Sequence, residues 1–533
     1  MRVTRRRVAV FLLILVVIFC ALLFSAATRL TPYVRHKAVA ALEARFQSDL
    51  ELTSFRAGLF PRPEVAGEGF ILRHNGRTDV PPLIRIKSYS ATAGLLGLVR
   101  SPLHLRTIHL DGLEISVPPR GVKAPRVAAS VPQPSPAASP TALAPERSEA
   151  PGPPPAKTPR LIIDRIVARA ARLEIVSRDK GKLPRVFEIH DLEMQGVGDG
   201  VGATFRAQLT NPKPLGQITT HGTFGPWRSG EPRQTPIRGE YAFKDANLDT
   251  IKGIAGRLSS IGQYSGVLER IEVNGETDTP DFSVDIAGQP VSLKTRFQAI
   301  VDGTNGDTFL EKVEARVLET FILARGAVVR TEDVKGRKVE LEAKIDNGRI
   351  EDVLKLGMKS ARPVMTGRMH LATTFLLPAG DRDILDKLEL SGTFRLDQAR
   401  FANMDIQRRI DTLSRRGQGQ PEAEGPSVVS RLSGKFSLRD GTLRFADLSF
   451  GVPGAIVQLA GTYDLRREAL DFRGHLLLDA SLAETTTGWR SIAARLAQPF
   501  FRRRGGGSKL PIKVTGPREK PEFGLDVKSA FKR

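Results

Sequence analysis

The chain has 533 residues, 41% of them hydrophobic, and a formal net charge of +22. This hydrophobic fraction is enough to build a large buried core, so it excludes global disorder. The single cysteine, Cys20, excludes a disulfide framework and any metal or iron–sulfur site that needs several cysteines. At about 150 residues per domain, the length allows three or four domains, or fewer elongated ones.

The first candidate element is a membrane anchor. Val8–Ala27 contains no charged residue, and as a helix it would be about 30 Å long, which matches the hydrocarbon core of a bilayer. A cleaved signal peptide is the alternative, but its hydrophobic region is usually only about 7–15 residues long. The segment is preceded by Arg2, Arg5, Arg6 and Arg7. Residues 1–30 are therefore predicted to be a cytoplasmic tip and a single transmembrane helix, with Thr31–Arg533 across the membrane.

Residues 31–120 are predicted to form a helix followed by a β segment. Thr31–Asp49 carries apolar residues four positions apart, which is typical of one helix face. Pro81–Ser90 and Leu110–Pro119 alternate apolar and polar residues, which indicates strands.

Gly121–Arg160 differs in composition from everything around it. Its 40 residues include 11 prolines and 9 alanines and no aromatic residue. Such a segment buries too little apolar surface to offset the entropy lost on ordering, so we predict a disordered linker. A second, shorter flexible loop is predicted at Ser414–Ser427.

The remaining body, residues 161–533, is dominated by alternation of apolar and polar residues. It is clearest in Leu293–Val301, Leu432–Phe445 and Val457–Leu478, between turns rich in Gly, Asp and Asn. This pattern predicts antiparallel hairpins with one apolar and one charged face. Roughly 25 strands would fit, too many for one compact sandwich, so the choice lies between an elongated, curled sheet and several packed sandwiches.

A few helical segments interrupt the predicted strands. Leu248–Ile261, Ile350–Leu356 and Gly488–Phe501 are short and amphipathic, and each is predicted to be a helix. Leu385–Leu396 returns to the strand pattern. The fold class predicted for the chain is therefore mainly β: an N-terminal transmembrane helix followed by an elongated, curled antiparallel β-sheet that forms a groove, with a few short amphipathic helices. Several packed sandwiches are the structural alternative.

Motifs of catalytic or cofactor sites are missing from the sequence. The glycine-rich Gly196–Gly202 departs from the dinucleotide fingerprint, and the acidic Asp302–Asp307 lacks the spacing of a calcium loop, so both predict hairpin connections. We therefore predict no enzyme activity, no cofactor and no metal. Nucleic acid is not expected as a partner, because 58 acidic residues are interspersed among the 80 basic ones.

Several segments, in this order, resemble the AsmA-like family. They are Phe450–Ala455 (FGVPGA), Gly461–Leu465 (GTYDL), Leu470–Leu482 (LDFRGHLLLDASL), Thr487–Trp489, Pro499–Gly516 and Pro521–Asp526. The resemblance covers most of the chain outside Gly121–Arg160 and extends to TamB and the bridge-like lipid transfer proteins. It implies an inner-membrane anchor, a periplasmic body whose long sheet offers an apolar groove to acyl chains, and a role in outer-membrane and envelope homeostasis.

Two sets of candidate site residues follow from the apolar alternation and from the charge near the C-terminus. The lipid-groove candidates are Phe436, Leu438, Leu443, Phe445, Leu459, Leu470, Phe472, Leu476 and Leu478. The candidates for contact with a membrane or another anionic surface are Trp489, Phe500, Phe501, Arg502, Arg503 and Arg504.

The function expected from these observations is the binding or transfer of phospholipid by a membrane-anchored periplasmic protein. The expected partners are the inner membrane, phospholipid acyl chains and envelope assembly proteins. The alternative is a structural or assembly factor that holds outer-membrane proteins through exposed sheet edges.

Overall fold

The computed structural model describes most of the chain between residues 50 and 526. The described ranges are 50–58, 63–73, 81–94, 103–117, 161–175, 185–198, 200, 202–228, 231–285, 289–331, 334–358, 362–420, 427–480, 507–518 and 520–526, with residues 32, 35, 36 and 39. Within these ranges, no helix is both long and apolar enough to cross a membrane. The predicted anchor Val8–Ala27, the predicted linker Gly121–Arg160, the predicted helix Gly488–Phe501 and most of the predicted helix Thr31–Asp49 lie outside them.

The described chain is mainly β, as predicted, with 24 strands and few helices. It divides into two compact units. The first comprises Met1–Pro212 and Thr219–Pro236, and the second comprises Lys213–Ile218 and Ile237–Arg533. From Leu161 onward the described residues form 20 strands, β5 to β24.

The first unit contains seven successive strands, each paired with the next. They are β1 (Leu50–Gly58), β2 (Glu64–Leu72), β3 (Ile84–Ala93), β4 (Leu103–Val117), β5 (Leu161–Ile175), β6 (Arg185–Gly198) and β7 (Ala203–Pro212). All pairs are antiparallel except β4–β5, which is parallel. The core of this unit lies around the buried Ile86, Leu113, Ala168 and Ala171. The next strand, β8 (Leu215–Phe224), contributes residues to both units.

The second unit contains the remaining strands and the helices. The strands are β9 (Pro236–Asn247), β10 (Ile254–Ala255), β11 (Arg257–Val267), β12 (Arg270–Val284), β13 (Val291–Val301), β14 (Thr308–Val317), β15 (Thr320–Arg330), β16 (Arg337–Arg349), β17 (Met365–Leu377), β18 (Glu389–Phe401), β19 (Ser430–Arg439), β20 (Thr442–Val452), β21 (Ala455–Asp464), β22 (Ala469–Leu478), β23 (Ser508–Pro517) and β24 (Glu522–Leu525). The helices are α1 (Ile350–Gly357), α2 (Ile384–Lys387) and α3 (Met404–Gly417). Short 3-10 turns lie at Pro232–Gln234, in the first unit, and Leu248–Thr250.

The strands of the second unit are paired in chain order. Each strand from β11 to β24 is hydrogen-bonded antiparallel to its successor, so these strands form one continuous sheet. Strand β9 pairs with β11, and β10 pairs with the last residues of β12. Since side chains alternate across a strand, this register gives the sheet an apolar face and a charged face.

Ion pairs between neighbouring strands cover the charged face. Arg296 lies 2.8 Å from Glu276 across β13 and β12, and Arg325 lies 2.6 Å from Glu342 across β15 and β16. These pairs are largely exposed to solvent, so each contributes at most about 1 kcal/mol to stability.

Two helices cover one end of the apolar face. The connection β16–β17 contains α1, whose Ile350 packs with Ile345, Met369 and Leu396 in a buried cluster. The connection β18–β19 contains α3, whose Ile410 packs with Val452, Ala455 and Leu478 in a second cluster. Both connections leave the sheet at the same end of its antiparallel strands, so the core of the second unit is concentrated there.

Three predictions of local structure were wrong. Leu248–Ile261 is a 3-10 turn followed by the strands β10 and β11, because Gly253 and Gly256 adopt positive φ and interrupt any helix. The predicted strand Leu385–Leu396 begins as the helix α2 and becomes strand only at Glu389. The predicted loop Ser414–Ser427 begins inside α3, a helix that the sequence analysis missed.

Other local predictions are confirmed. Ile350–Leu356 is helical, and the strands predicted at Pro81–Ser90 and Leu110–Pro119 correspond to β3 and β4. The acidic segment Asp302–Asp307 is a turn between β13 and β14, in which Asp302 accepts hydrogen bonds from the backbone and hydroxyl of Thr304. The glycine-rich Gly196–Gly202 spans the end of β6 and the connection to β7.

A glycine at a close approach of two strands should be sensitive to substitution. A Cβ atom at Gly461 would lie 2.2 Å from the carbonyl oxygen of Asp471 and 2.6 Å from Cα of Phe472, so Gly461→Ala should lower the free energy of unfolding by about 1–3 kcal/mol. The matched control is Gly451→Ala on β20, where a Cβ atom would meet nothing within 4 Å. Urea unfolding measures both variants, and equal stabilities would contradict the close packing at Gly461.

Candidate functional site

All nine lipid-groove candidates lie on the apolar face of four consecutive strands. Phe436 on β19 is opposite Phe445 on β20, which is opposite Gly461 on β21, and Gly461 is opposite Phe472 on β22. A second row joins Leu438, Leu443, Tyr463 and Leu470. Leu459, Leu476 and Leu478 share the same side of their strands by the two-residue period.

Burial separates these candidates into two groups. Leu438, Phe472 and Leu478 are only 5%, 6% and 4% exposed, and Leu478 belongs to the cluster closed by α3. The other six candidates are half-buried. Leu478 is therefore ordinary core under α3, Leu438 is buried at the opposite end of its strand, and Phe472 is buried in the middle row. The six half-buried side chains keep surface that an apolar ligand could cover.

Aromatic rings form a continuous row from the half-buried Phe394, Phe436 and Phe445 to the buried Phe472. The ring centroid of Phe394 lies 6.2 Å from those of Phe436 and Phe445, and the centroid of Phe445 lies 5.8 Å from that of Phe472. These distances are typical of edge-on or tilted aromatic contacts. The row spans β18 to β22 and gives this part of the face a smooth hydrocarbon surface without hydrogen-bonding groups.

The same face continues onto strands that the sequence analysis left out of the candidate set. Phe297 on β13 is opposite Val313 on β14, which is opposite Ala324 on β15. Farther along, Leu341 on β16 is opposite Phe375 on β17. Alternation in Leu293–Val301 could have indicated this extension, but only the register shows that these residues share a face with Phe436.

Two tyrosines are placed at polar points of the apolar face. Tyr463 follows Gly461 on the same side of β21, and burial raises the pKa of its phenol although Arg518 opposes the shift. Burial likewise raises the pKa of Tyr241 on β9, whose hydroxyl lies 3.1 Å from Oγ of Ser260. Both phenols therefore stay protonated at neutral pH and can donate hydrogen bonds.

The membrane-surface candidates are not placed by the structure. Trp489, Phe500, Phe501, Arg502, Arg503 and Arg504 lie outside the described residues. The described chain stops at Ala480, after β22, and resumes at Gly507, before β23. The expected contact of these six residues with an anionic surface stays a prediction.

The charged face contains a concavity with a volume of about 1090 Å³. It is lined by Arg325, Glu342, Thr374, Ser391 and Ser437, among others. Its charged and hydroxyl side chains are already paired in part, as in the Arg325–Glu342 ion pair and the 2.7 Å contact between Thr374 and Ser391. We assign no ligand to it.

Within the described ranges, no three His, Cys, Asp or Glu side chains come together as a metal site would require. The acidic turn at Asp302 instead satisfies its own backbone, and Asp307 pairs with Arg337 at 2.9 Å.

Comparison with known proteins gave no match to any protein-family model, curated protein or solved structure.

Proposed function

We propose that this protein binds the acyl chains of phospholipids along the apolar face. It thereby moves whole phospholipid molecules across the bacterial envelope. In this proposal Val8–Ala27 anchors the chain in the inner membrane, and the β-rich body lies in the periplasm. The protein would thereby serve outer-membrane and envelope homeostasis, as the resemblance to the AsmA-like family implies. The observation that carries the proposal is the row of half-buried apolar side chains that runs in register from β13 to β22.

The energetic argument concerns what covers this face. Burial of one methylene group is worth about 0.8 kcal/mol, so eight methylenes of an acyl chain would contribute roughly 6 kcal/mol. The aromatic row from Phe394 to Phe472 presents no hydrogen-bonding group, and such a surface favours hydrocarbon over a polar polymer or a peptide backbone. Because the apolar face continues from strand to strand, a lipid could move along it instead of occupying a single pocket.

Photo-crosslinking in intact cells tests the proposal on the full chain. A photoreactive phenylalanine analogue replaces Leu459, which is half-buried on the apolar face, or Ile456, which is 40% exposed on the charged face of the same strand. With phosphate-labelled lipids, we expect phospholipid adducts at position 459 and none at position 456. Equal labelling at both positions, or adducts at neither, would refute binding on the apolar face.

The assembly-factor alternative rests on one exposed edge. Strand β24 pairs only with β23 among the described residues, and its Phe523 and Leu525 are 69% and 50% exposed. A short strand with exposed apolar side chains can accept another strand by β-augmentation. A photoreactive residue at position 523 that captured an outer-membrane protein, with no lipid adduct at 459, would favour this second function.

A further inference from the structure

Four hydroxyl groups interrupt the apolar face on four neighbouring strands. Tyr241 on β9 lies 3.1 Å from Ser260 on β11, and Oγ1 of Thr277 on β12 lies 2.6 Å from Oγ1 of Thr295 on β13. Ser260 and Thr277 are direct cross-strand partners, so the two pairs adjoin. We call Tyr241, Ser260, Thr277 and Thr295 the hydroxyl ladder.

The surroundings of the hydroxyl ladder are uncharged. On the same side of these four strands, the described neighbours are apolar, glycine or other hydroxyl residues: Ile237, Gly239, Phe243, Leu258, Gly262, Tyr264, Ile271, Val273, Gly275, Thr279, Val291, Leu293, Phe297 and Ala299. Gly262 and Gly275 make room for the phenol of Tyr241, since a Cβ atom at either would lie within 2.8 Å of it. The tyrosine thus lies across the sheet toward Thr277.

Hydrogen-bonding capacity remains unused along the hydroxyl ladder. Four hydroxyls bring four donors, and the two contacts between them consume two. A further hydroxyl, that of Thr279, lies two residues beyond Thr277 on the same face; this residue is 1% exposed, and its Oγ1 has no hydrogen-bond partner among the described residues. Thr279 is itself too buried to touch a ligand, but the donors left on the half-buried Tyr241, Thr277 and Thr295 can bind an uncharged acceptor group of a ligand.

From this geometry we infer that the hydroxyl ladder binds the ester carbonyls of a diacyl glycerolipid. Ester carbonyls accept hydrogen bonds, carry no charge and stand at the junction between acyl chains and headgroup. A phosphate or a free carboxylate fits less well, because a buried anion needs a cation and this part of the face offers none. The inference rests on the proposed function, since it assumes that acyl chains occupy the apolar face.

Competition between ester and ether lipids tests the inference. In the full-length protein, a photoreactive residue replaces Val273, which lies on the same face as the hydroxyl ladder. This protein is then mixed with equal amounts of a diester phosphatidylcholine and of its diether analogue with the same chain lengths. Only the diester has carbonyl groups. Two neutral hydrogen bonds should enrich the diester adduct about five- to tenfold in mass spectra.

Isosteric variants separate the hydroxyls from packing. Thr277→Val combined with Thr295→Val removes both partners of one hydrogen bond and keeps the side-chain volume, so the fold should persist. The ratio of diester to diether adducts should then fall to about one. If the double variant does not fold, Tyr241→Phe serves as a milder variant. It should reduce the preference for the diester lipid in part. The control is Thr373→Val on β17, which lies on the same face outside the ladder and should keep the full preference.

The outcomes distinguish the inference from the proposed function. Equal capture of the diester and diether lipids by the unaltered chain, or a preference that survives the double variant, would overturn the ladder as an ester site while lipid binding stands. Capture of neither lipid at position 273 or at position 459 would overturn the proposed function itself.

Discussion

Leu459→Glu should leave the protein folded but remove most of its bound lipid, whereas Leu478→Glu should unfold it. Leu478 is 4% exposed in the cluster that α3 closes, so a carboxylate there would be buried without a partner and cost more than about 4 kcal/mol. Leu459 is half-buried, so its carboxylate stays hydrated and costs about 1–2 kcal/mol. An acyl chain cannot cover that charge without desolvating it, so lipid binding should fall about tenfold or more.

Two measurements on the full chain decide this prediction. Thermal unfolding reports the stability of each variant, and a photoreactive residue at position 443, on the same apolar face, reports bound phospholipid. The matched control is Gln458→Glu, which places the carboxylate on the opposite face of the same strand and should change neither quantity. If Leu459→Glu unfolds the protein as Leu478→Glu does, the apolar face is a closed core and not a surface open to lipid.

The second large effect concerns Asp352, a buried carboxylate that ties α1 to the sheet. Asp352 is 4% exposed and accepts hydrogen bonds from the hydroxyl of Thr320 at 2.8 Å and from the backbone of Glu319 at 3.2 Å. Asp352→Ala would leave the backbone N–H of Glu319 without this acceptor and leave the hydroxyl of Thr320 only its longer, 3.4 Å bond to the carbonyl oxygen of Arg349. We expect the free energy of unfolding to fall by about 2–4 kcal/mol.

A double-mutant cycle isolates the contact between Asp352 and Thr320. Thr320→Val alone and together with Asp352→Ala should show a coupling free energy above about 1 kcal/mol in urea unfolding. The exposed control is Asp405→Ala in the first turn of α3, which should cost less than about 1 kcal/mol. Additive effects of the two buried changes would show that Asp352 stabilises α1 without its bond to Thr320.

The strand pattern was predictable because cross-strand pairing reinforces the local alternation. In Leu293–Val301 and Val457–Leu478 the residues on the apolar face are opposite apolar residues, glycine or threonine, so sequence and register agree. The parallel pair β4–β5 was not predicted. The chain between these strands contains Gly121–Arg160, whose composition says nothing about where the following strand pairs.

The wrong predictions arose where two periods compete. Leu248, Ile251, Ile254, Leu258 and Ile261 recur every three or four residues, as on a helix face. In the structure Leu258 lies on the apolar face and Ile261 is 62% exposed, because pairing with β12 imposes the two-residue period. The helix α3 escaped notice because its apolar residues are few among arginines, and Ile410 becomes informative only beside Val452.

The nine candidates could be placed on one face from the sequence, but their burial could not. Phe472 and Leu459 follow the same alternation in neighbouring strands, yet only Phe472 is buried. The difference depends on what lies above each side chain, such as the ring of Phe445, and a linear pattern contains no information about such partners. The hydroxyl ladder was missed for the same reason. Its four residues come from four different strands, and only the pairing of those strands brings them together.

The strict chain-order pairing from β11 to β24 means that the length of the sheet can change by whole hairpins. Each strand is stabilised by its two neighbours in the chain, as repeats are in solenoid proteins, so gain or loss of one hairpin leaves the other pairings intact. One added hairpin would lengthen the sheet by about 10 Å and extend both faces in phase. Duplication or deletion of a hairpin could therefore change the length of the apolar face without altering the sequence of any other strand.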